Sequence, residues 1–433
     1  MVRALGSIFT EYVRQVRDSG PNPRRYLAGI FLIGLGQSVF SLLFNLYLRE
    51  LGVADSTIGQ VLSKMSLGAA LAAIPVALIL QRVAARSVLL VSGALTTAAY
   101  LLQSVLTAPD LLLTVAFFAG TVLTVFRLSI APVIMREAAP ESRPFLFSAS
   151  YTVLFLSAIV GSGLGGFLPH FFRWFTDSDH LALRFSLFTA CGLYLLSTIP
   201  FAAMKERPPA AAGATTTPRR TARERALGAI RELATVDWGL HAKLIVPSLL
   251  IGLGAGLIIP FLNLYFRDRF GLDEAAIGLL FAAMQGFMVV SNVFGPTITR
   301  RMGLVAGVVF TQLASVPFMI VLAASHWFPL VAAAFFLRSA LMNMNQPLAS
   351  HFAMEVVPER DHAVTNSLLS LSWFLAWSVS ADIGGAMIER VGYGPPLLIA
   401  AALYVLASLL YWLFFRNVEE GRVPRSEVEI PEA

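Results

Sequence analysis

The sequence predicts an all-α integral membrane protein of twelve transmembrane helices, arranged as two parallel-related six-helix bundles. Three observations carry that prediction. Hydrophobic residues make up 57% of the 433 positions and charged residues only 13%, against roughly half and a quarter in soluble domains. Apolar runs of about 20 residues, each long enough to cross ~30 Å of hydrocarbon as a helix, recur along nearly the whole chain. The second half of the chain repeats the first. Ten-residue alternating segments of the barrel type are absent, which leaves helices to satisfy the backbone inside lipid.

Apolar runs between charged, proline and glycine punctuation place spans near 26–48, 56–80, 87–107, 111–134, 147–169 and 184–204, then near 243–266, 275–298, 304–325, 328–351, 364–388 and 395–416. The corresponding organisation is an amphipathic N-terminal segment (1–25), a first bundle (26–204), a linker (205–241), a second bundle (242–416) and an acidic tail (417–433). The first apolar run begins near Arg25 and is too long for a cleavable signal, so it is expected to remain as an anchor. In the N-terminal segment Leu5, Ile8, Phe9, Tyr12, Val13 and Val16 oppose Arg14 and Arg17. The linker carries Leu227, Ile230 and Leu233 at helical spacing. Both patterns suit short helices lying on a membrane surface.

With both termini cytoplasmic, the inner loops and tails hold about 23 basic residues and the outer loops about 6, the asymmetry that sets orientation. Topology and anionic lipid therefore account for the pI near 9.7, and nucleic acid is not needed as a partner. Lysine supplies three of the 32 basic residues (Lys64, Lys205 and Lys243), the bias of a GC-rich bacterial genome, which points to a bacterial cell membrane. The single cysteine, Cys191, excludes an internal disulfide.

The repeat is explicit. LIGLG at 32–36 returns at 250–254, and FNLYLRELGVADSTIG at 44–59 is echoed by LNLYFRDRFGLDEAAIG at 262–278. At an offset of 218, Asn45 meets Asn263, Tyr47 meets Tyr265, Arg49 meets Arg267 and Glu50 meets Asp268. After one insertion Gly59 meets Gly278, and Gly165-Gly166 meets Gly384-Gly385. Two six-span units in the same orientation imply an axis along the membrane normal and a site between the halves near mid-depth.

On these residues the chain resembles the major facilitator superfamily over essentially its full length. The resemblance rests on the six-plus-six repeat, the basic central connector, Pro140-Glu141-Ser142-Arg143 with Pro358-Glu359-Arg360 in matching loops, and the fifth-span string GSGLGGFLP from Gly161, which is similar to the antiporter motif of drug exporters. Gln81 to Arg86, between spans two and three, lacks the aspartate and glycines of the family loop, and Gly295 to Gly303 lacks the aspartate. The resemblance implies a gradient-driven transporter working by alternating access, with proton-coupled efflux of small organic molecules as the leading reading. Sugar or metabolite transport, lipid translocation and sensing without transport are the other readings.

Charged groups inside spans cost several kcal/mol unless paired or hydrated. Lys64, Arg127, Arg338 and Asp382 are the four. Asp382 and Arg338 are expected to share a depth and form a charge pair, either gated or permanent, with Asp382 as the carrier of any proton coupling. Arg127 resembles the arginine of the fourth-span RxxxG motif, with Ala131 in place of its glycine. Gln37, Gln285, Asn292, Asn343, Asn345 and Gln346, with Trp373 and Trp377, are expected to line a cavity of amides and aromatics suited to neutral or cationic solutes, or else to pack between helices. Asn45, Tyr47, Asn263 and Tyr265, with Arg49 and Arg267, read either as an outer gate or as interfacial anchors. Zinc spacings, phosphate loops and nucleophile elbows are absent, so an enzyme is not expected and no cofactor is implied. The expected partners are a small-molecule substrate, a proton or other coupling ion and the bilayer. The expected state is monomeric, because the joined halves already supply a symmetric interface.

Overall fold

The computed structural model describes residues 19–205 and 237–420, and every element among them is helical. The first bundle comprises α1 (Pro21–Glu50), α2 (Asp55–Arg82), α3 (Ala85–Val105), α4 (Pro109–Glu137), α5 (Arg143–Phe172) and α6 (Asp179–Ala203). The second comprises α7 (Trp238–Ile258), α8 (Leu262–Phe270), α9 (Glu274–Asn292), α10 (Gly295–Met302), α11 (Leu304–Ala324), α12 (Phe328–Val356), α13 (His362–Val391) and α14 (Gly394–Glu420). The expected surface helices around Leu5 and Leu227 lie outside the described residues.

Local sequence explains where the helices start and stop. Prolines open α1, α4, α5 and α12, where a missing N–H costs nothing. Asp237 and Asp273 cap α7 and α9 by accepting from the Leu240 and Ala276 amides at 3.1 and 2.8 Å. Gly52 (φ 76°) and Gly271 (φ 63°) turn the chain after α1 and α8 in the left-handed conformation that suits glycine.

Two expected spans are each built from two helices. A 3₁₀ turn, Ile259–Phe261, separates α7 from α8, because Pro260 cannot continue the α-helical ladder. The eighth span ends at Asn292, and the chain breaks at Gly295-Pro296 into the short α10, so the expected helix over 275–298 is not continuous. The seventh span begins at Trp238, inside the expected linker, and α14 runs to Glu420, inside the expected tail. Among the described residues, eleven spans are long and apolar enough to cross a membrane by composition. The twelfth, α12, is 29 residues long but carries Arg338, Asn343, Asn345, Gln346 and His351.

The halves are built alike. In the first, α1 packs on α5 and α6, α3 on α4 and α6, and α2 on α4. In the second, α7 packs on α13 and α14, α11 on α12 and α14, and α9 on α12. Across the halves, α2 meets α13 and α5 meets α9. Both crossings are glycine contacts. A Cβ on Gly59 would stand 3.0 Å from the Gly385 Cα, and one on Gly278 would stand 2.8 Å from the Gly166 Cα. Such close backbone approach gives van der Waals packing where lipid supplies no hydrophobic drive.

Both crossings lie beside the turns that join α1 to α2 and α8 to α9, called here the sealed face. Toward the opposite, terminal face the halves part. Along one face of α13, Asn366 and Ser370 are exposed, Trp373 and Trp377 half-buried, and Ala381 buried. Along α5 the same gradient runs from exposed Ser148 and Thr152, through half-buried Phe155 and Ile159, to buried Ser162 and Gly166. The cleft is thus open at the end where the chain begins and closed at the other.

Replacing Gly278 with leucine puts side-chain atoms against the Ser162 carbonyl and the Gly166 backbone, at 2.6 and 2.8 Å from the new Cβ. The expected cost is about 1–3 kcal/mol, read as a fall in the apparent Tm of the purified protein. Gly163→Leu on the α5 side, where a Cβ meets only the Ala282 Cβ at 3.8 Å, leaves Tm near wild type. Equal Tm values for the two variants would rule out the close crossing.

Candidate functional site

Directly beneath the sealed face, between the halves, lies a cavity of about 250 Å³ lined by Phe40, Ser41, Phe44, Asn45, Leu62, Met65, Ile259, Pro260, Asn263, Phe281 and Trp377. Its walls come from α1, α2, the α7/α8 break, α9 and α13, so both halves contribute. Six of these eleven residues are aromatic, leucine or methionine, and none is charged. The polar groups present, Ser41, Asn45 and Asn263, can orient a ligand by hydrogen bonding without demanding a formal charge on it.

The roof of the cavity is a reciprocal pair of amides. Asn45 Nδ2 donates to the Pro260 carbonyl at 2.7 Å, and Asn263 Nδ2 donates to the Leu42 carbonyl at 2.8 Å. The two acceptors are themselves 218 residues apart, so the contact obeys the repeat. The Leu264 amide, which a continuous helix would aim at the Pro260 carbonyl, donates to Asn263 Oδ1 at 2.9 Å. Both asparagines are 3% exposed, and their side chains come within 3.4 Å of each other.

Above the amides sits a crossed set of ion pairs. Arg49 pairs with Asp55 in its own half and with Asp268 of the other half at 3.0 Å. Arg267 pairs with Glu274 in its own half at 3.5 Å and with Glu50 of the other half at 2.9 Å. Arg173, at the end of α5, adds a third cross-half pair, to Glu274 at 3.1 Å, and holds Asp179 at 2.7 Å. Glu274 is 3% exposed. Tyr393 donates to Asp268 at 2.6 Å, and burial together with that carboxylate pushes its phenol pKa upward.

The structure distributes the expected site residues unevenly. Trp377 lines the cavity, and Trp373 packs beside it, the rings tilted at 39° with centroids 5.8 Å apart. Gln37 lies one turn below Ser41, donates to it at 2.7 Å, and accepts from Tyr100 and Tyr194 at 3.2 and 2.7 Å. Gln285 is half-buried one turn below Phe281. Asn343 and Asn292 pair at 2.9 Å, but Asn292 ends α9 near the terminal face, well away from the cavity. Asn345 is buried inside the second bundle, where it bonds Thr311 at 2.8 Å and the Val308 carbonyl at 3.0 Å. It fixes packing there and lines nothing.

Tyr47 and Tyr265 are neither anchors at a membrane surface nor cross-half gate contacts. Both are fully buried, and their hydroxyls donate at 2.7 Å to the Ser104 and Leu322 carbonyls at the ends of α3 and α11. They tie the tips of each bundle together. The expected Asp382–Arg338 pair does not form. Arg338 is 4% exposed and donates to Tyr404 at 3.0 Å within the second bundle, whereas Asp382 is exposed on the side of α13 turned away from Trp377. Lys64 is likewise exposed, on the side of α2 opposite the cavity residue Leu62. Arg127 is exposed on α4 beside Ala131.

Reading the sequence missed Phe40, Phe44, Leu62, Met65 and Phe281, because apolar residues facing a cavity and facing lipid look alike in a chain this hydrophobic. It also passed over Asp55 and Glu274. Their signal was available: both stand 219 apart, at the first residue of a span, next to duplicated arginines.

A family model described as Major Facilitator Superfamily matches residues 26–381 and 244–432. The quinolone resistance protein NorA of Staphylococcus aureus (strain MRSA252) is 27% identical over 165 residues, 37% of this chain and 41% of that protein. NorA of strain Mu50 / ATCC 700699 matches to the same extent, so the chain spans less than half the length of these curated relatives. A bacterial homologue of the human lysosomal transporter Spinster, inward-facing and unoccupied, superimposes with TM-score 0.74 at 13% identity, over 94% of this chain and 100% of that one. The nucleoside transporter NupG gives 0.73 at 13%, covering 92% and 100%. A D-xylose-proton symporter gives 0.70 at 15%, covering 93% and 98%. At such identities the likeness is one of fold.

Arg267→Glu sets like charges against Glu50 and Glu274 and should weaken the sealed face by about 1–2 kcal/mol, a shift of roughly 5- to 30-fold in the ratio of closed to open. Spin labels on exposed Ala108 and Ala324 report it as a longer distance population, since buried Cys191 leaves labelling selective. An unchanged distance distribution would remove the ion pairs from the closure.

Proposed function

The chain belongs to the Major Facilitator Superfamily and is therefore a membrane transporter, and we propose that it exports small apolar or amphipathic organic molecules, drug-like in character, by gradient-driven alternating access. The observation that carries this reading is the cavity wall. Phe40, Phe44, Leu62, Met65, Phe281 and Trp377 surround the space, and three neutral polar residues punctuate it. A sugar or nucleoside brings many hydroxyl groups whose hydration would be lost against such a surface, at a cost of several kcal/mol. A flat or cationic aromatic compound gains from ring contact and apolar burial. The partial similarity to NorA, whose name records quinolone resistance, supports the same class.

The excess of basic residues in loops and tails on the terminal side assigns that side to the cytoplasm. The cleft then faces inward, ready to load from the cytoplasm or the inner leaflet, with the sealed face outward. The cycle proceeds by rocking one bundle on the other about the glycine crossings. That motion must separate Arg49 from Asp268, Arg267 from Glu50 and Arg173 from Glu274 before substrate leaves outward. Proton linkage is assigned to these carboxylates rather than to Asp382, because protonating Asp268, Glu50 or Glu274 cancels a charge that the opposing arginine holds across the halves. Glu274 is the strongest candidate, being buried and shared by arginines of both bundles.

Proteoliposomes carrying an internal pH dye and an imposed proton gradient, challenged with hydrophobic cations, neutral aromatics and sugars, provide the test. Aromatic compounds should trigger proton flux and sugars should not. Trp377→Ala should raise the half-saturating concentration by about tenfold, the equivalent of ~1.4 kcal/mol of lost ring contact. Asp382→Asn should retain flux, and Glu274→Gln should lose it while still binding substrate. Flux driven by sugars, or abolished only by Asp382→Asn, would overturn the respective assignments.

A further inference from the structure

Two of the membrane-embedded charges have no task in the cavity. Lys64 and Asp382 are both exposed, and neither has a hydrogen-bond or ion-pair partner among the described residues. Each stands nine residues from the sealed end of its helix, Lys64 counted from Asp55 on α2 and Asp382 counted to Val391 on α13. At about 1.5 Å per residue both are roughly 14 Å below that end. Their helices are in direct contact. Ser63, next to Lys64, meets Ser378 hydroxyl to hydroxyl at 3.1 Å, and Asp382 is one turn along from Ser378.

Both charges are turned to the membrane. Lys64 shares its side of α2 with Leu71 and Leu78, 57% and 46% exposed, and lies opposite Leu62. Asp382 shares its side of α13 with Leu375, Val379 and Ile383, all exposed, about 140° round the helix from Trp377. The other cross-half seam, α5 against α9, shows that packing does not require charge here. The positions that the repeat equates with Asp382 and Lys64 are Gly163 and Ala283. One seam of a symmetric pair has thus acquired a cation and an anion at one depth, facing lipid.

We propose that the α2/α13 seam is a binding site for a zwitterionic phospholipid with a primary ammonium, Lys64 taking the phosphate and Asp382 the ammonium. Helices of about 28 to 30 residues exceed the ~30 Å hydrocarbon thickness by several ångström at each end, so both side chains start only some 7 Å beneath the headgroup boundary. The lysine stem spans much of that distance, and a local dip of the bilayer supplies the rest at a fraction of a kcal/mol per ångström. A primary ammonium offers the N–H donors that a carboxylate accepts, whereas a trimethylammonium offers none. A lipid seated there bridges the two bundles on the membrane side of the Gly59–Gly385 crossing.

Native mass spectrometry of the full chain, extracted from bilayers of equal phosphatidylethanolamine and phosphatidylcholine, tests the site. Wild type should retain the ethanolamine lipid several-fold over the choline lipid. Asp382→Asn should abolish that preference, and Lys64→Ala should weaken retention of both lipids, because the phosphate is common to them. Equal retention of the two lipids by wild type would overturn the proposal in favour of unselective annular lipid. So would an undiminished preference in Asp382→Asn. Thermal unfolding in each lipid guards against a trivial result. If both single variants lose Tm equally in either lipid and the exchange Lys64→Asp with Asp382→Lys restores it, the two residues pair with each other and the lipid site is rejected.

Discussion

Backbone contact at two glycine pairs, Gly59 with Gly385 and Gly166 with Gly278, holds the two bundles together at one end and leaves them free at the other. In lipid there is no hydrophobic gain from pressing two apolar helices together, so association needs close van der Waals approach and polar contacts. Glycine supplies the first by removing the Cβ that would hold the helices apart. The pairs are related by the internal repeat, so they stand on opposite sides of the pseudo-symmetry axis and act as two fixed points. Every feature of the site lies between or just beside them: the amide roof, the crossed ion pairs and the apolar cavity.

The polar contacts on the sealed face work as a set because each half offers the same groups to the other. Asn45 and Asn263 exchange hydrogen bonds to the Pro260 and Leu42 carbonyls, and Arg49 and Arg267 each take one carboxylate at home and one across the axis. Most of these charged side chains are about a third exposed, where a single ion pair is worth little. Glu274, held by arginines from both halves, is the most deeply buried of the set. A closure made of several modest contacts can be opened by modest driving forces, which suits the alternating-access cycle proposed above.

The charges inside the spans divide by what surrounds them. Arg338 is enclosed with Tyr404 and serves the packing of the second bundle. Arg127 is exposed on α4. Lys64 and Asp382 face outward from the crossing of α2 and α13, away from the cavity. Burial cost alone makes each of the four a functional candidate, but only the direction of the side chain tells which solvent it serves.

Hydropathy, charge asymmetry and the 218-residue repeat determined that this protein spans the membrane twelve times as two like bundles, since span length and loop charge are one-dimensional quantities. The repeat also marked Asn45, Arg49, Glu50 and their partners 218 residues on, because a symmetric contact must be written twice in the chain. The tertiary structure alone decided which of those residues cross the axis, as Asn45 does, and which stay at home, as Tyr47 does. It alone separated Phe40 and Phe281 from the lipid-facing apolar residues, since lipid and an apolar cavity select the same side chains. It alone parted Asp382 from Arg338, because equal depth along two helices says nothing of the angle at which each side chain leaves its axis. That angle is set by packing against neighbours distant in the sequence.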